Sequence, residues 1–166
     1  MSKSDQSAFS AIAGELLQTV DAAVMKLRSI AEAEAARPLA PGKWSRKQVM
    51  GHLIDSAANN HQRFVRAQES TTLEFSGYEQ DHWVNSQRHE AREWAELVGF
   101  WHAYNRHLAH VIAQIPEARR NVACTIGANA PVTLGFLARD YVVHLEHHLA
   151  QVRADGKPAE GSIIRR

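Results

Sequence analysis

Three histidines fall within five positions of one stretch of the chain, YVVHLEHHLAQV at residues 141–152. His144 and His148 are four residues apart, a spacing that brings two imidazoles to the same side of a helix, one turn apart. Enzymes with the H-E-x-x-H motif use this spacing to bind zinc, but Leu145 stands where that motif has its glutamate. The pair is therefore compatible with a metal site, or with two buried histidines that hydrogen-bond to their neighbours.

The three histidines are not expected to share one role. Residues are placed about 100° apart on the wheel of a helix predicted over about 134–154. The apolar face of this helix is formed by Leu134, Leu137, Tyr141, Leu145 and Val152. His148 lies well inside that face and His144 at its edge, whereas His147 lies further round and points away from the core. We therefore expect His144 and His148 to face inward and His147 to be solvated.

A third inward histidine, His52, is predicted on a helix over about 45–68. It shares a sector of the wheel with Val49, Leu53 and Ala67. Beside it runs a stripe of polar residues, Ser56, Asn59, Asn60 and Arg63. Burying polar groups costs a few kcal/mol each unless they are paired, so a polar stripe that faces inward histidines indicates the wall of a polar cavity. The alternative for Asn60 and Arg63 is a margin that faces solvent.

Four segments with helical periodicity would position these residues, at about 9–30, 45–68, 90–115 and 134–154. The start of the second is the best defined, because Ser45 and Gln48 have the S-x-x-Q spacing of a capping box. Two long links between the helices lack sustained periodicity, and the second contains the short β-prone sequence VACTI. Four amphipathic helices with little strand predict an all-α four-helix bundle, and the long links allow crossover connections.

Composition limits the classes of protein to which the chain can belong. The 166 residues, 45% of them hydrophobic, are expected to form a single domain over 1–166, with a core at about 5–155 and a short C-terminal tail. A net charge of +1 with scattered basic residues argues against nucleic-acid binding. No signal peptide and no apolar run of membrane-spanning length are expected, and the single cysteine excludes an intrachain disulfide. These features predict a cytoplasmic protein.

Three motifs in order resemble the DinB/YfiT-like family. They are PGKWSRKQVMGHLIDS, YEQDHWV and DYVVHLEHHLAQV, and the resemblance extends from the first helix to Val152. It implies a four-helix bundle with up-down-down-up topology and a divalent metal held by three histidines. Matched motif by motif, these ligands are His52, His144 and His148, the same three that the helical wheels turn inward.

The resemblance also implies a range of activities. Family members are described as metal-dependent hydrolases, and some related branches are transferases or isomerases that depend on a low-molecular-weight thiol. Dimers are common in the family, so we expect a homodimer that acts on a small-molecule substrate. Three neutral imidazoles suit zinc or nickel and leave at least one coordination position open. The remaining alternatives are a non-catalytic metal-binding protein associated with stress and a purely structural bundle.

No residue is assigned as general base, but several are candidates for catalytic roles. The candidates are Asp81, Arg63, Asn60 and Tyr78. Asp55, about 60° from His52 on the wheel, is either a further carboxylate candidate or a solvated charge. Tyr78 and Trp83 either line the mouth of the site or pack the loop that carries them. Cys124, a single thiol in a link, is expected to have no catalytic role.

Overall fold

A computed structural model describes residues 7–153, so positions 1–6 and 154–166, which include the predicted tail, lie outside the described residues. The helices are α1 (Ala8–Arg28), α2 (Glu32–Ala35), α3 (Arg46–Arg66), α4 (Gln80–Gln87), α5 (Trp94–Ala113) and α6 (Leu134–Arg153). The strands are β1 (Thr72–Phe75), β2 (Ala123–Ile126) and β3 (Val132–Thr133). The four long helices, α1, α3, α5 and α6, form the four-helix bundle that the sequence predicts.

Helix α1 runs antiparallel to α5 and parallel to α6. The indole N–H of Trp94, at the start of α5, donates to the carbonyl of Leu27 near the end of α1 (2.8 Å), whereas Arg106, three turns later, pairs with Asp21. Towards α6, Glu15 pairs with Arg139, and Thr19 donates to Glu146 further along both helices. These contacts fix the relative directions of three of the four helices.

Helix α3 runs antiparallel to α6. Arg46, at the start of α3, donates through Nε to the carbonyl of Val152 near the end of α6 (2.9 Å). Near the opposite ends of these helices, the rings of Phe64 and Tyr141 meet edge to face at 6.0 Å. The order along the chain is therefore up-down-down-up for α1, α3, α5 and α6, which confirms the predicted topology. Crossover connections follow from it, because α3 and α5 point the same way.

The apolar stripe predicted for the first helix is buried in the core. Phe9, Leu16, Val20 and Leu27 are all fully buried, and the helix begins where Ser7 accepts a hydrogen bond from the amide of Ser10. Among the described residues, α1 is a helix that is long and apolar enough, by length and composition alone, to cross a membrane. Because its apolar stripe packs inside the bundle, it has the character of a core helix.

The two long links contain more structure than the sequence indicated. VACTI supplies β2 as predicted, but β1 was not predicted, and it pairs with β2 in parallel from Thr72–Ala123 to Phe75–Ile126. Strand β3 adds to β2 in antiparallel orientation. The first link also contains the short helix α4, and α5 begins at Trp94, after a separate 3-10 turn at His89–Ala91. Elements this short carry too few residues to show a period, so the sequence pattern missed them.

Candidate metal centre

The imidazoles of His52, His144 and His148 converge on one point between α3 and α6. The Nε2 atom of His144 lies 3.3 Å from Nε2 of His52 and 3.1 Å from Nε2 of His148. One ring nitrogen from each histidine lies within 4.8 Å of the others. The antiparallel packing of α3 and α6 thus brings together residues that are 92 positions apart in the sequence.

The three rings are buried to different degrees. The helical wheel placed His148 deeper in the core than His144, but the structure shows the opposite. His52 and His144 are buried, with His144 only 3% exposed, whereas His148 is half-buried. A wheel gives the angular position of a residue but not its height along the bundle, and His148 lies in the last turns of α6, near the end of the bundle. Trp44 is also half-buried, and its ring packs 5.3 Å from that of His52. His148 and Trp44 therefore form the more exposed side of the site.

The donor set fits a divalent metal. Zinc binds imidazole nitrogen at about 2.0–2.1 Å in tetrahedral sites, which places neighbouring ligand nitrogens about 3.3 Å apart. Two of the three separations, 3.1 and 3.3 Å, match this spacing, and the three nitrogens all lie within 4.8 Å of one another. All three histidines direct Nε2 inward, and a neutral imidazole can offer a lone pair there when its proton resides on Nδ1.

A buried polar row extends from His52 along α3. Asn60 and Arg63 are 1% and 2% exposed, which excludes the alternative of a solvent-facing margin. Asn60 donates to the carbonyl of Ser56 (2.9 Å), and Arg63 donates to Asn60 Oδ1 (3.4 Å). The guanidinium of Arg63 also lies 5.3 Å from the centre of the Phe75 ring on β1. From His52 to Arg63 the row rises about 16 Å at 1.5 Å per residue, which places Arg63 at the end of α3 beside the sheet.

The candidates in the first link fall into two environments. Tyr78 is buried, and its ring packs 5.0 Å from that of Trp83, so these two aromatic residues pack against each other within the link. Asp81 is exposed in the first turn of α4, where water solvates its carboxylate. The position of Asp81 therefore gives no support to a role as general base.

Asp55 is a buried carboxylate on α3, three residues after His52, and its interpretation as a solvated charge is wrong. It is 2% exposed, and its Oδ1 accepts a hydrogen bond from Gln87 Nε2 (2.8 Å) and lies 3.4 Å from His89 Nε2. His89 is itself buried against α3, where a Cβ added to Gly51 would lie 2.2 Å from its ring. The sequence missed this cluster, because Gln87 and His89 stand more than 30 residues from Asp55 in the chain.

His147 is half-buried, so its ring is partly exposed to solvent. Gln151 lies between it and His148: its Oε1 is 2.8 Å from Nδ1 of His148, and its Nε2 is 3.1 Å from Nε2 of His147. The rings of His147 and His148 also meet edge to face at 5.1 Å. His147 is thus connected to the three converging histidines through Gln151. The sequence analysis did not identify Gln151 as part of the site.

A second group of histidines lies further along α3, where this helix faces α5. His61 Nδ1 lies 3.1 Å from the hydroxyl of Tyr104, and its ring lies 5.2 Å from that of His107. The pKa of His61 is lowered, chiefly because burial disfavours the imidazolium and secondly because of the charge of His107. His61 is about 13 Å further along the helix axis than His52 at 1.5 Å per residue, so this group is separate from the three converging imidazoles.

Cys124 lies on the buried central strand of the small sheet. Burial raises the pKa of its thiol to about 11, so almost none of it is thiolate at neutral pH. Since the thiolate is the reactive form, this environment is that of an inert core residue.

Comparisons with known proteins agree with this architecture. No curated protein sequence matches the chain. Among solved structures, the chain is similar to YfiT from Bacillus subtilis, described as "a probable metal-dependent hydrolase with an unusual four-helix bundle topology". The two share 18% sequence identity with a TM-score of 0.76, over 92% of this chain and 88% of that one, a likeness that shows the fold. The family model of the DinB superfamily matches residues 15–152, most of the chain, and the protein therefore belongs to the DinB superfamily.

Proposed function

We propose that the protein is a metal-dependent hydrolase whose divalent metal is bound by His52, His144 and His148. The observation that carries this proposal is the convergence of one nitrogen from each histidine to within 4.8 Å, two of them on buried rings. Three neutral imidazoles leave room in a four- or five-coordinate metal for a substrate atom. The similarity to a described hydrolase in fold adds support at the level of the family.

The described residues supply a partly buried site for this chemistry. When bound, a divalent metal supplies Lewis-acid chemistry that polarises a carbonyl or phosphoryl oxygen and makes water more acidic. His52 and His144 are buried and exclude water from the inner side, so a substrate would approach past the half-buried His148 and Trp44.

Zinc and nickel are the metals we propose, because both are bound well by imidazole. The decisive experiment is elemental analysis of the chain, purified without an affinity tag and without chelators. We expect about one divalent metal per chain, lost on His148→Ala and retained on His110→Ala, a change at an exposed histidine of α5. Absence of stoichiometric metal at neutral pH from the unmodified protein would refute the proposal.

Activity assays distinguish the alternatives. Turnover of esters or amides without added thiol, lost on chelation and restored by metal, supports the hydrolase. Strict dependence on a low-molecular-weight thiol would instead identify a transferase or isomerase. Retention of metal with no turnover across broad substrate and thiol panels would identify a non-catalytic metal-binding protein.

Two further expectations accompany this proposal. We place the activity in the cytoplasm, and we propose that the protein acts as a homodimer on a small-molecule substrate. Light scattering coupled to size-exclusion chromatography tests the dimer, and a monomeric mass at micromolar concentration would contradict it.

A further inference from the structure

Gln151 contacts two histidines at once, one of them a proposed metal ligand. Its side-chain oxygen lies 2.8 Å from Nδ1 of His148, and its side-chain nitrogen lies 3.1 Å from Nε2 of His147. We infer that Gln151 is a positioning residue that selects the metal-binding tautomer of His148. This inference rests on the proposed function, since it assigns a role within the same site.

The chemistry of imidazole links the tautomer to ligation. A neutral imidazole carries one proton, so His148 can offer a lone pair from Nε2 only when that proton resides on Nδ1. Its Nε2 is the atom that faces Nε2 of His144 at 3.1 Å. The proton on Nδ1 then needs an acceptor, and Gln151 Oε1 stands at hydrogen-bonding distance. Groups that hold a ligand histidine in this way orient its ring and raise its basicity.

His147 determines which way the amide of Gln151 points. In the observed orientation, Gln151 accepts from Nδ1 of His148 and donates to Nε2 of His147. If the amide turned over, its NH₂ group would face Nδ1 of His148 and favour the tautomer with the proton on Nε2, where the metal should bind. The lone pair of His147 therefore stabilises the orientation that suits ligation.

His148 is the most exposed of the three proposed ligands. His52 and His144 are buried, and packing restricts their rings, whereas His148 is half-buried and one side of its ring can reach water. Water can donate or accept, so it stabilises either tautomer equally well. The side-chain oxygen of Gln151, on the next turn of the same helix, can only accept a hydrogen bond and therefore favours the tautomer of His148 with the proton on Nδ1.

The test uses the full chain with three substitutions in α6. Gln151→Leu removes the acceptor, Gln151→Glu retains one, and Arg153→Leu makes a similar polar-to-apolar change at an exposed position of the same turn. Zinc affinity is measured by competition with a chromogenic chelator. We expect affinity to fall by roughly 10–100-fold for Gln151→Leu, to stay within a few-fold of wild type for Gln151→Glu, and to be unchanged for Arg153→Leu.

A second measurement on the metal-free protein separates positioning from a merely structural role. Nitrogen NMR of histidine-labelled protein at alkaline pH reports which ring nitrogen of His148 carries the proton. We expect Nδ1 in wild type and Gln151→Glu, and a shift towards Nε2 in Gln151→Leu. An unchanged tautomer in Gln151→Leu overturns the inference, and so does a changed tautomer with unchanged zinc affinity. If the wild-type protein bound no metal, the proposed function would fail, but the assignment of Gln151 would still be tested by the tautomer of His148. In that case an unchanged tautomer in Gln151→Leu would refute the assignment, and a changed tautomer would support it.

Discussion

The imidazole of His89 lies directly on the backbone of Gly51, so close that a Cβ at position 51 would be 2.2 Å from the ring. Glycine in the middle of a helix is normally unfavourable. Here it lets a side chain from the first link reach Asp55, one turn further along α3. The absence of a side chain at position 51, next to the proposed ligand His52, thus allows the first link to pack against α3.

Gly51→Ala should destabilise the protein, because the added methyl group displaces the ring of His89 and breaks its contact with Asp55. Overpacking of this kind costs about 1–3 kcal/mol, measured as the free energy of unfolding in urea. The matched control is Gly14→Ala in α1, where nothing lies within 4 Å of the new Cβ, and we expect it to be stabilising by about 0.5–1 kcal/mol. Equal effects of the two substitutions would show that His89 does not require the space at Gly51.

Metal should stabilise the folded chain, because the three proposed ligands converge only in the native structure. At a free zinc concentration 100-fold above the dissociation constant, binding to the native state alone adds about 2.7 kcal/mol. Differential scanning calorimetry should show a higher Tm with zinc that EDTA reverses. His148→Ala should lose this shift and His110→Ala should keep it; a zinc-dependent shift that survives in His148→Ala would mean that the metal binds elsewhere.

The pH dependence of His61 provides a test away from the proposed metal site. Its pKa in the folded protein lies below the ordinary 6.5 because of burial and then His107, so the unfolded chain takes up a proton first as the pH falls. His61 therefore contributes a loss of stability that begins as the pH drops below about 6.5 and levels off below its folded pKa. In NMR titrations, His107→Ala should move the pKa of His61 back towards 6.5.

His110→Ala serves as the control for that titration, because it removes an exposed histidine from the same helix, one turn beyond His107. A pKa of His61 that moves equally in both variants would show that His107 exerts no specific effect. A pKa that does not move in His107→Ala would leave burial as the whole cause.

The capping box of α3 should measurably support the helix that carries His52. Ser45 Oγ accepts from the amide of Gln48, and Gln48 Oε1 accepts from the amide of Ser45 at 2.9 Å. Ser45→Ala should lower the free energy of unfolding by about 1 kcal/mol. Gln48→Glu retains the acceptor and should have little effect, so an equal loss in both variants would show that the reciprocal bond is not what stabilises this end.

The long-range architecture followed from the sequence because it depends on periodic patterns. The four helices, the inward orientation of His52 and the start of α3 after Ser45 all arise from residue spacing within a single element. The burial of Asn60 and Arg63 was one of the two alternatives that the wheel left open for the polar side of α3. These features can be predicted from one element at a time, without knowing how the neighbouring elements pack against it.

The features that the sequence missed depend on contacts between distant segments. Asp55 is buried because Gln87 and His89 cover it from a link that has no period of its own. The half-buried state of His148 depends on where the bundle ends, which a wheel cannot show. Strand β1 exists because a partner strand about 50 residues later offers it hydrogen bonds, and four residues alone do not predict that partner.

The wide separation in sequence of the three proposed ligands has a consequence for how the protein is made. His52 leaves the ribosome well before His144 and His148, which are 92 and 96 residues later in the chain. The complete set of ligands therefore exists only after synthesis has passed residue 148. A metal captured then would join two distant parts of the newly made chain as a reversible cross-link, and its uptake would mark the moment at which the last helix docks.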